Sequence, residues 1–133
     1  MNYLSQEQCI TLLKLIAYKF KKLKIYYYPH PLEQYNYYKK YKFLNVINSK
    51  LTLELFLINN TFLPKKIIGF NSICFKTLKM LFGNKINLKN YQFRPSKVSL
   101  LCNKNYIENI KKNKKVQLYM KEKLNINTKI INL

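Results

Sequence analysis

Few side chains in this sequence could carry out acid–base or nucleophilic chemistry, and their spacing does not group them. The chain has no Asp, and its acidic residues are Glu7, Glu33, Glu54, Glu108 and Glu122 alone. A Ser/His/Asp triad or an Asp-based metal site therefore has no starting material. His30 is the single histidine; set between Pro29 and Pro31, it reads as a loop residue rather than a general base. Cys9, Cys74 and Cys102 lie far apart with no C-x-x-C pair. Buried or free thiols in a reducing compartment are expected, not a structural zinc site. Gly69 and Gly83, the only glycines, cannot build a phosphate-cradling loop. The expectation is a protein that is not an enzyme, with no catalytic residue, metal ligand, cofactor or small-molecule substrate.

Charge is the informative feature. Lys and Arg total 25 against five acidic residues, a formal net charge of +20 on 133 residues. Solubility alone needs a net charge of only about 2–8. So large a surplus repels itself unless a polyanion offsets it. RNA and DNA fit best, because each neutralised phosphate releases a condensed counterion. The chain is also 48% hydrophobic, which argues against a disordered polycation and for one small domain with basic extensions or two very small lobes. Arg94 is the single arginine, and Asn, Ile, Tyr and Phe are abundant while Trp is absent. Such usage follows from translation of a very AT-rich genome. Lysine presents a point charge rather than a bidentate fork, so a lysine surface reads backbone and shape more than base edges.

Several elements can be read along the chain. Ser5 and Gln8 form a capping-box pattern. Cys9, Leu12, Leu13, Ile16, Phe20 and Leu23 then recur at helical steps, predicting an amphipathic helix of about five turns whose apolar face packs on protein while its lysines point outward. Tyr26–Tyr28 lead into the prolines, which favour extended chain. From Tyr35 to Phe43 aromatics alternate with Lys39, Lys40 and Lys42. Such rings can stack on unpaired bases, although packing at the rim of a core is the favoured reading. Leu51–Ile58 is a short apolar element. From Lys65 to Phe82 the pattern fits a helix and a strand almost equally. Gly83-Asn84 marks a turn, after which Ile86 with Leu88 and Val98 with Leu100 suggest two short strands joined by Tyr91–Ser96. Tyr106–Leu124 is helical in composition. No stretch approaches the ~20 apolar residues needed to cross a bilayer, and no secretory or imported-precursor leader is visible.

Leu51-Thr-Leu-Glu-Leu-Phe-Leu-Ile-Asn-Asn-Thr-Phe62 follows the pattern R-L-D-x-x-x-x-R-x-G-F, with Glu54 at the acidic position, Phe62 at the closing Phe and Thr61 in place of Gly. In this it resembles the opening helix of the RNA-binding domain of the small-subunit ribosomal protein four (S-four) family, and the resemblance extends over residues 51–101. Gly83, Tyr91 and Pro95 then match the spacing of V-N-G and P-S-Y-x-L-x-P. The family's A-R-Q-L-I-x-H-G-H-I stretch is replaced by Lys66-Ile-Ile-Gly-Phe-Asn-Ser-Ile-Cys-Phe-Lys76, and its G-D turn by Ser96-Lys97.

The resemblance implies an α+β fold. Residues 1–50 would form an N-terminal helix and an aromatic, basic extension. Residues 51–101 would be an S-four-like helix–helix–sheet domain with Gly83 at a strand-to-strand turn, and residues 102–133 a basic C-terminal helix and tail. It implies ribosomal RNA and neighbouring ribosomal proteins as partners, early assembly, and a place where messenger RNA enters. Phosphate-facing candidates are Lys65, Lys66, Lys76 and Lys79; Lys85, Lys89, Arg94 and Lys97 around and after Gly83; and Lys104, Lys111, Lys112, Lys114 and Lys115 in the tail. The expected setting is the small subunit of a mitochondrial ribosome in the matrix, encoded in the organelle. The alternative is a basic accessory subunit of a mitochondrial respiratory or ATP synthase complex, with the Cys9–Leu23 stripe on a partner or bilayer surface.

Overall fold

A computed structural model of the chain describes residues 6–30, 33, 35–94 and 104–132. Helices and short parallel strands are mixed in it, in agreement with the expected α+β class. The chain divides into two units, one of Leu4–Asn59 and one built on Asn60–Leu133. The division falls at residue 59 rather than 50, and no boundary separates residues 102–133 from what precedes them.

The first unit begins with α1, Gln6–Lys19. Cys9, Leu12, Leu13 and Ile16 of the apolar stripe are buried. The helix is shorter than the stripe suggested. After the Phe20 N–H donates to the Ile16 carbonyl, the chain tightens into turns in which Lys21 donates to Tyr18 and Leu23 to Phe20. Leu23 consequently ends 55% exposed. Strand β1 (Tyr26–Tyr27), helix α2 (Tyr35–Lys39) and strand β2 (Asn45–Val46) form a small parallel crossover, with Tyr26 opposite Asn45 and Tyr27 opposite Val46. Ile10, Leu13, Tyr38 and Leu44 make the core, and Tyr27, Tyr37, Tyr41, Phe43 and Val46 pack against it. The aromatic segment is thus rim-of-core packing, as favoured. Helix α3 (Leu53–Ile58) starts at Thr52, whose side chain accepts from the Leu55 N–H, with Glu54 in the first turn where the helix dipole favours an anion.

The second unit is a β–α–β–α–β chain: β3 (Lys66–Gly69), α4 (Cys74–Phe82), β4 (Asn87–Arg94), α5 (Lys104–Leu124) and β5 (Thr128–Asn132). The sheet order is β3-β4-β5, parallel throughout. Strand β3 pairs with the first half of β4 and β5 with the second, so Asn90 alone faces both neighbours, Gly69 on one side and Thr128 on the other. Helices α4 and α5 touch each other, which places both on one face of the sheet, as right-handed crossovers in sequential order require. Phe75 and Leu78 of α4 and Met120 and Leu124 of α5 are buried; burial of each such side chain contributes about 1.5–3 kcal/mol.

Two local expectations are corrected. Tyr91–Arg94 does not join two strands but is the second half of β4. Tyr91, at its centre, is 1% exposed. Gly83 is not a strand-to-strand turn. It ends α4 at φ 56°, its N–H donating to the Lys79 carbonyl, because the repeat of Phe75, Leu78 and Phe82 carries the helix up to it and a positive φ, which glycine adopts without steric cost, then stops it. Ser5, Pro95, Ser96, Val98, Leu100 and Cys102 lie outside the described residues.

Candidate nucleic-acid interface

Among lysines whose side chains are described, only Lys66, Lys79 and Lys89 are half-buried; all the others are exposed. The fold distributes the candidate phosphate contacts over several places. Lys65 and Lys66 stand at the start of β3. The Asn87 N–H donates to the Lys65 carbonyl at 3.0 Å, so Lys85 in the α4–β4 turn sits at the same N-terminal edge of the sheet. Strand alternation puts Lys66 and Lys89 on the face opposite Asn90 and Gln92, whose side chains meet α5 and the β3–α4 loop. Lys129, opposite Tyr91, joins that face from β5. The sequence reading missed it, because nothing local marked residues 128–132 as a strand.

Lys79 has another task. Its ammonium donates to Asn84 Oδ1 at 2.6 Å, in the last turn of α4, where a cation complements the helix dipole. Arg94 ends β4 opposite Asn132. Lys104 and Lys111 lie on α5 together with the exposed Lys112, Lys114 and Lys115, and Lys97 lies outside the described residues. Folding also brings Lys76 on α4 and Lys115 on α5 together from distant sequence. Both line a hollow of about 230 Å³ with Ser72, Ile73, Val116, Tyr119, Met120 and Leu124.

A second feature is a recurrent pairing of lysine with tyrosine. The Lys21 ammonium lies 5.4 Å from the Tyr18 ring centroid, Lys24 lies 5.3 Å from Tyr26, and Lys40 lies 4.3 Å from Tyr37 and 5.2 Å from Tyr41. Lys76 stands 6.0 Å from Tyr119. Tyr18 and Tyr26 are 74% and 57% exposed, so each offers a ring face beside a cation, the combination that binds single-stranded nucleic acid. The signal was present in the sequence for two of them: Tyr18 with Lys21 and Tyr37 with Lys40 are i, i+3 pairs.

The Glu33 carboxylate is occupied structurally, accepting from the Tyr27 hydroxyl at 2.7 Å, the His30 backbone N–H at 2.8 Å and the Tyr38 hydroxyl at 3.3 Å. Burial, and then the neighbouring Glu33 charge, push the Tyr27 hydroxyl far up and the Tyr38 hydroxyl to about 12. The Cys9 thiol is raised for the same two reasons in the same order. Among the described residues no three His, Cys, Asp or Glu side chains are grouped to hold a metal ion, and no helix is long and apolar enough to cross a membrane. No protein family, curated protein or solved structure matches the chain.

Proposed function

We propose that this chain is a structural RNA-binding component of a ribonucleoprotein, the small subunit of a mitochondrial ribosome, which it helps to organise by neutralising ribosomal RNA phosphates and fitting their shape. One observation carries the reading: cations outnumber acids 25 to five, and exposed lysines stand on α1, α2, α4, α5 and β5 and in several of the turns between elements. A surplus on this scale is offset by a phosphate polymer more readily than by any other partner. The tyrosine rings beside lysines supply stacking surfaces for unpaired bases. Kinship with the S-four family belongs to this proposal and rests on the pattern of Glu54, Phe62, Gly83 and Tyr91. Ribosomal proteins would be its neighbours, and the mitochondrial matrix its location.

The test is sedimentation of an organelle extract. The chain should travel with ribosomal RNA and leave the heavy fraction on RNase treatment. Co-sedimentation with detergent-extracted membranes, insensitive to RNase, would overturn the proposal in favour of a membrane-complex subunit.

A further inference from the structure

The hollow between α4 and α5 has a shape and charge that the general RNA-binding reading does not account for. Its floor is apolar: Met120 is 1% exposed and Leu124 8%, with Val116 half-buried above them. Its walls are Ile73 and the Tyr119 ring, which stay open to solvent at 76% and 38%. Lys76 and Lys115 stand among the lining residues, which include no carboxylate. On α5, Lys112, Lys115 and Tyr119 follow one another at three- and four-residue steps, so a row of positive charge leads along that helix face to the ring.

At about 230 Å³ the hollow is smaller than the roughly 300–1,000 Å³ of sites that enclose drug-sized ligands. It suits one planar ring system rather than a dinucleotide or a folded cofactor. An apolar peptide side chain would satisfy the floor but leave both ammonium groups without counter-charge. A single RNA strand satisfies both, because its base is flat and apolar on its faces while its flanking phosphates are anionic.

We propose that this hollow receives one unstacked base of a single RNA strand, the base lying against Tyr119 and Val116 while Lys76 and Lys115 neutralise the phosphates on either side. The inference rests on the RNA-binding reading and adds that this site selects unpaired over duplex RNA.

The test uses the full chain and a short single-stranded oligonucleotide carrying one 2-aminopurine, compared with the same strand made abasic at that position and with a duplex of equal length. Binding should quench the 2-aminopurine fluorescence, and the abasic strand should bind about 5- to 150-fold more weakly, the range for losing one base–aromatic stack. Tyr119→Phe should keep the quench and Tyr119→Leu should lose it with a similar drop in affinity. Ile73→Glu changes a wall residue that is mostly solvent-exposed, so folding should survive, and the added carboxylate should weaken binding too. Lys76→Gln with Lys115→Gln should lower affinity and its salt dependence. If Tyr119→Leu and Ile73→Glu bind and quench like the parent chain, the hollow is not the base receptor although the RNA-binding reading stands. If neither single-stranded nor duplex RNA binds at low salt, both fail together.

Discussion

Asn71 and Asn90 hold each other by a reciprocal pair of hydrogen bonds: the Asn71 backbone N–H donates to Asn90 Oδ1 at 2.7 Å, and Asn90 Nδ2 donates to Asn71 Oδ1 at 2.8 Å. Asn90 Nδ2 also donates to Thr128 Oγ1 at 2.9 Å, and Gln117 of α5 bridges Asn71 Oδ1 and Gln92 Oε1. The fully buried Asn90 side chain thereby ties β4 to β5 and to the loop that follows β3, and α5 joins the cluster through Asn71 and Gln92. Asn71 adopts φ 52°, a left-handed turn that Asn tolerates better than most residues, and so sends the chain from β3 into α4.

Replacing Asn90 is therefore expected to cost about 1–3 kcal/mol for each buried group left unpaired. Asn90→Ala should lower the urea midpoint of the second unit. Asn90→Asp keeps the shape but loses both donors and buries a carboxylate. Burial raises the folded pKa of that Asp above its unfolded value of about 3.9. The stability of this variant should thus be greatest below about pH 4 and fall as pH rises through the folded pKa. Urea titrations near pH 4 and pH 7 check this, and an Asp variant as stable as the parent at pH 7 would show that the cluster does not hold the sheet.

Gly69 marks the second close fit. A Cβ built there would lie 2.7 Å from Phe75 Cζ and 2.9 Å from Cε1, and Phe75 is only 1% exposed. Gly69→Ala should destabilise by about 1–3 kcal/mol through overpacking. Shortening the ring in the double variant with Phe75→Leu should recover part of that loss, giving a total smaller than the sum of the single changes. Thermal unfolding of the four chains is sufficient, and strict additivity would disprove the contact.

The first unit should respond to alkaline pH. Tyr27 and Tyr38 are raised by burial and then by Glu33. Tyr37 is pushed to about 12 chiefly by its hydrogen bond with the Tyr41 hydroxyl. Groups whose folded pKa exceeds the unfolded value stabilise fully below the unfolded pKa of about 10 and lose that contribution as pH rises through the folded one. The unit should therefore weaken from about pH 10 upward, as spectrophotometric titration of the tyrosines alongside unfolding would show, with Tyr27, Tyr37 and Tyr38 ionising late. Glu33→Gln should bring Tyr38 back toward the ordinary range while leaving Tyr37 delayed. An unchanged titration curve would remove Glu33 from the account.

What was legible in the sequence was what depended on near neighbours. Cys9, Leu12, Leu13 and Ile16 sit on one helical face and are buried, and Lys104–Leu124 is a helix much as its composition required. The parallel sheet was not legible. Strand β3 is four residues long and α4 begins five residues after it ends, so alternation and helical periodicity overlap within Lys65–Phe82. Strand β5 pairs with β4 across a whole intervening helix, and no local signal encodes such a partner. Gly83 was ambiguous in principle, since a hairpin turn and a helix end both favour a residue with positive φ. The charge of the candidate interface could be counted in advance, whereas the meeting of Lys76, Lys115 and Tyr119 depends on how α4 and α5 pack.

The basic C-terminal helix offers a prediction about mechanism rather than affinity alone. If Lys111, Lys112, Lys114 and Lys115 lie on RNA phosphates, each releases about 0.7–0.9 of a counterion on binding. Replacing all four with Gln should then reduce the slope of log affinity against log salt by about 3. Their contribution to stability should be small, because Lys112, Lys114 and Lys115 are exposed and like charges crowded along one helix repel. The variant should fold at least as well as the parent, so a lost slope reports lost phosphate contacts rather than lost structure. RNA titrations at several salt concentrations decide the point. A slope unchanged by removal of four charges would mean that α5 faces a protein neighbour and that the RNA lies on the lysines of the other elements.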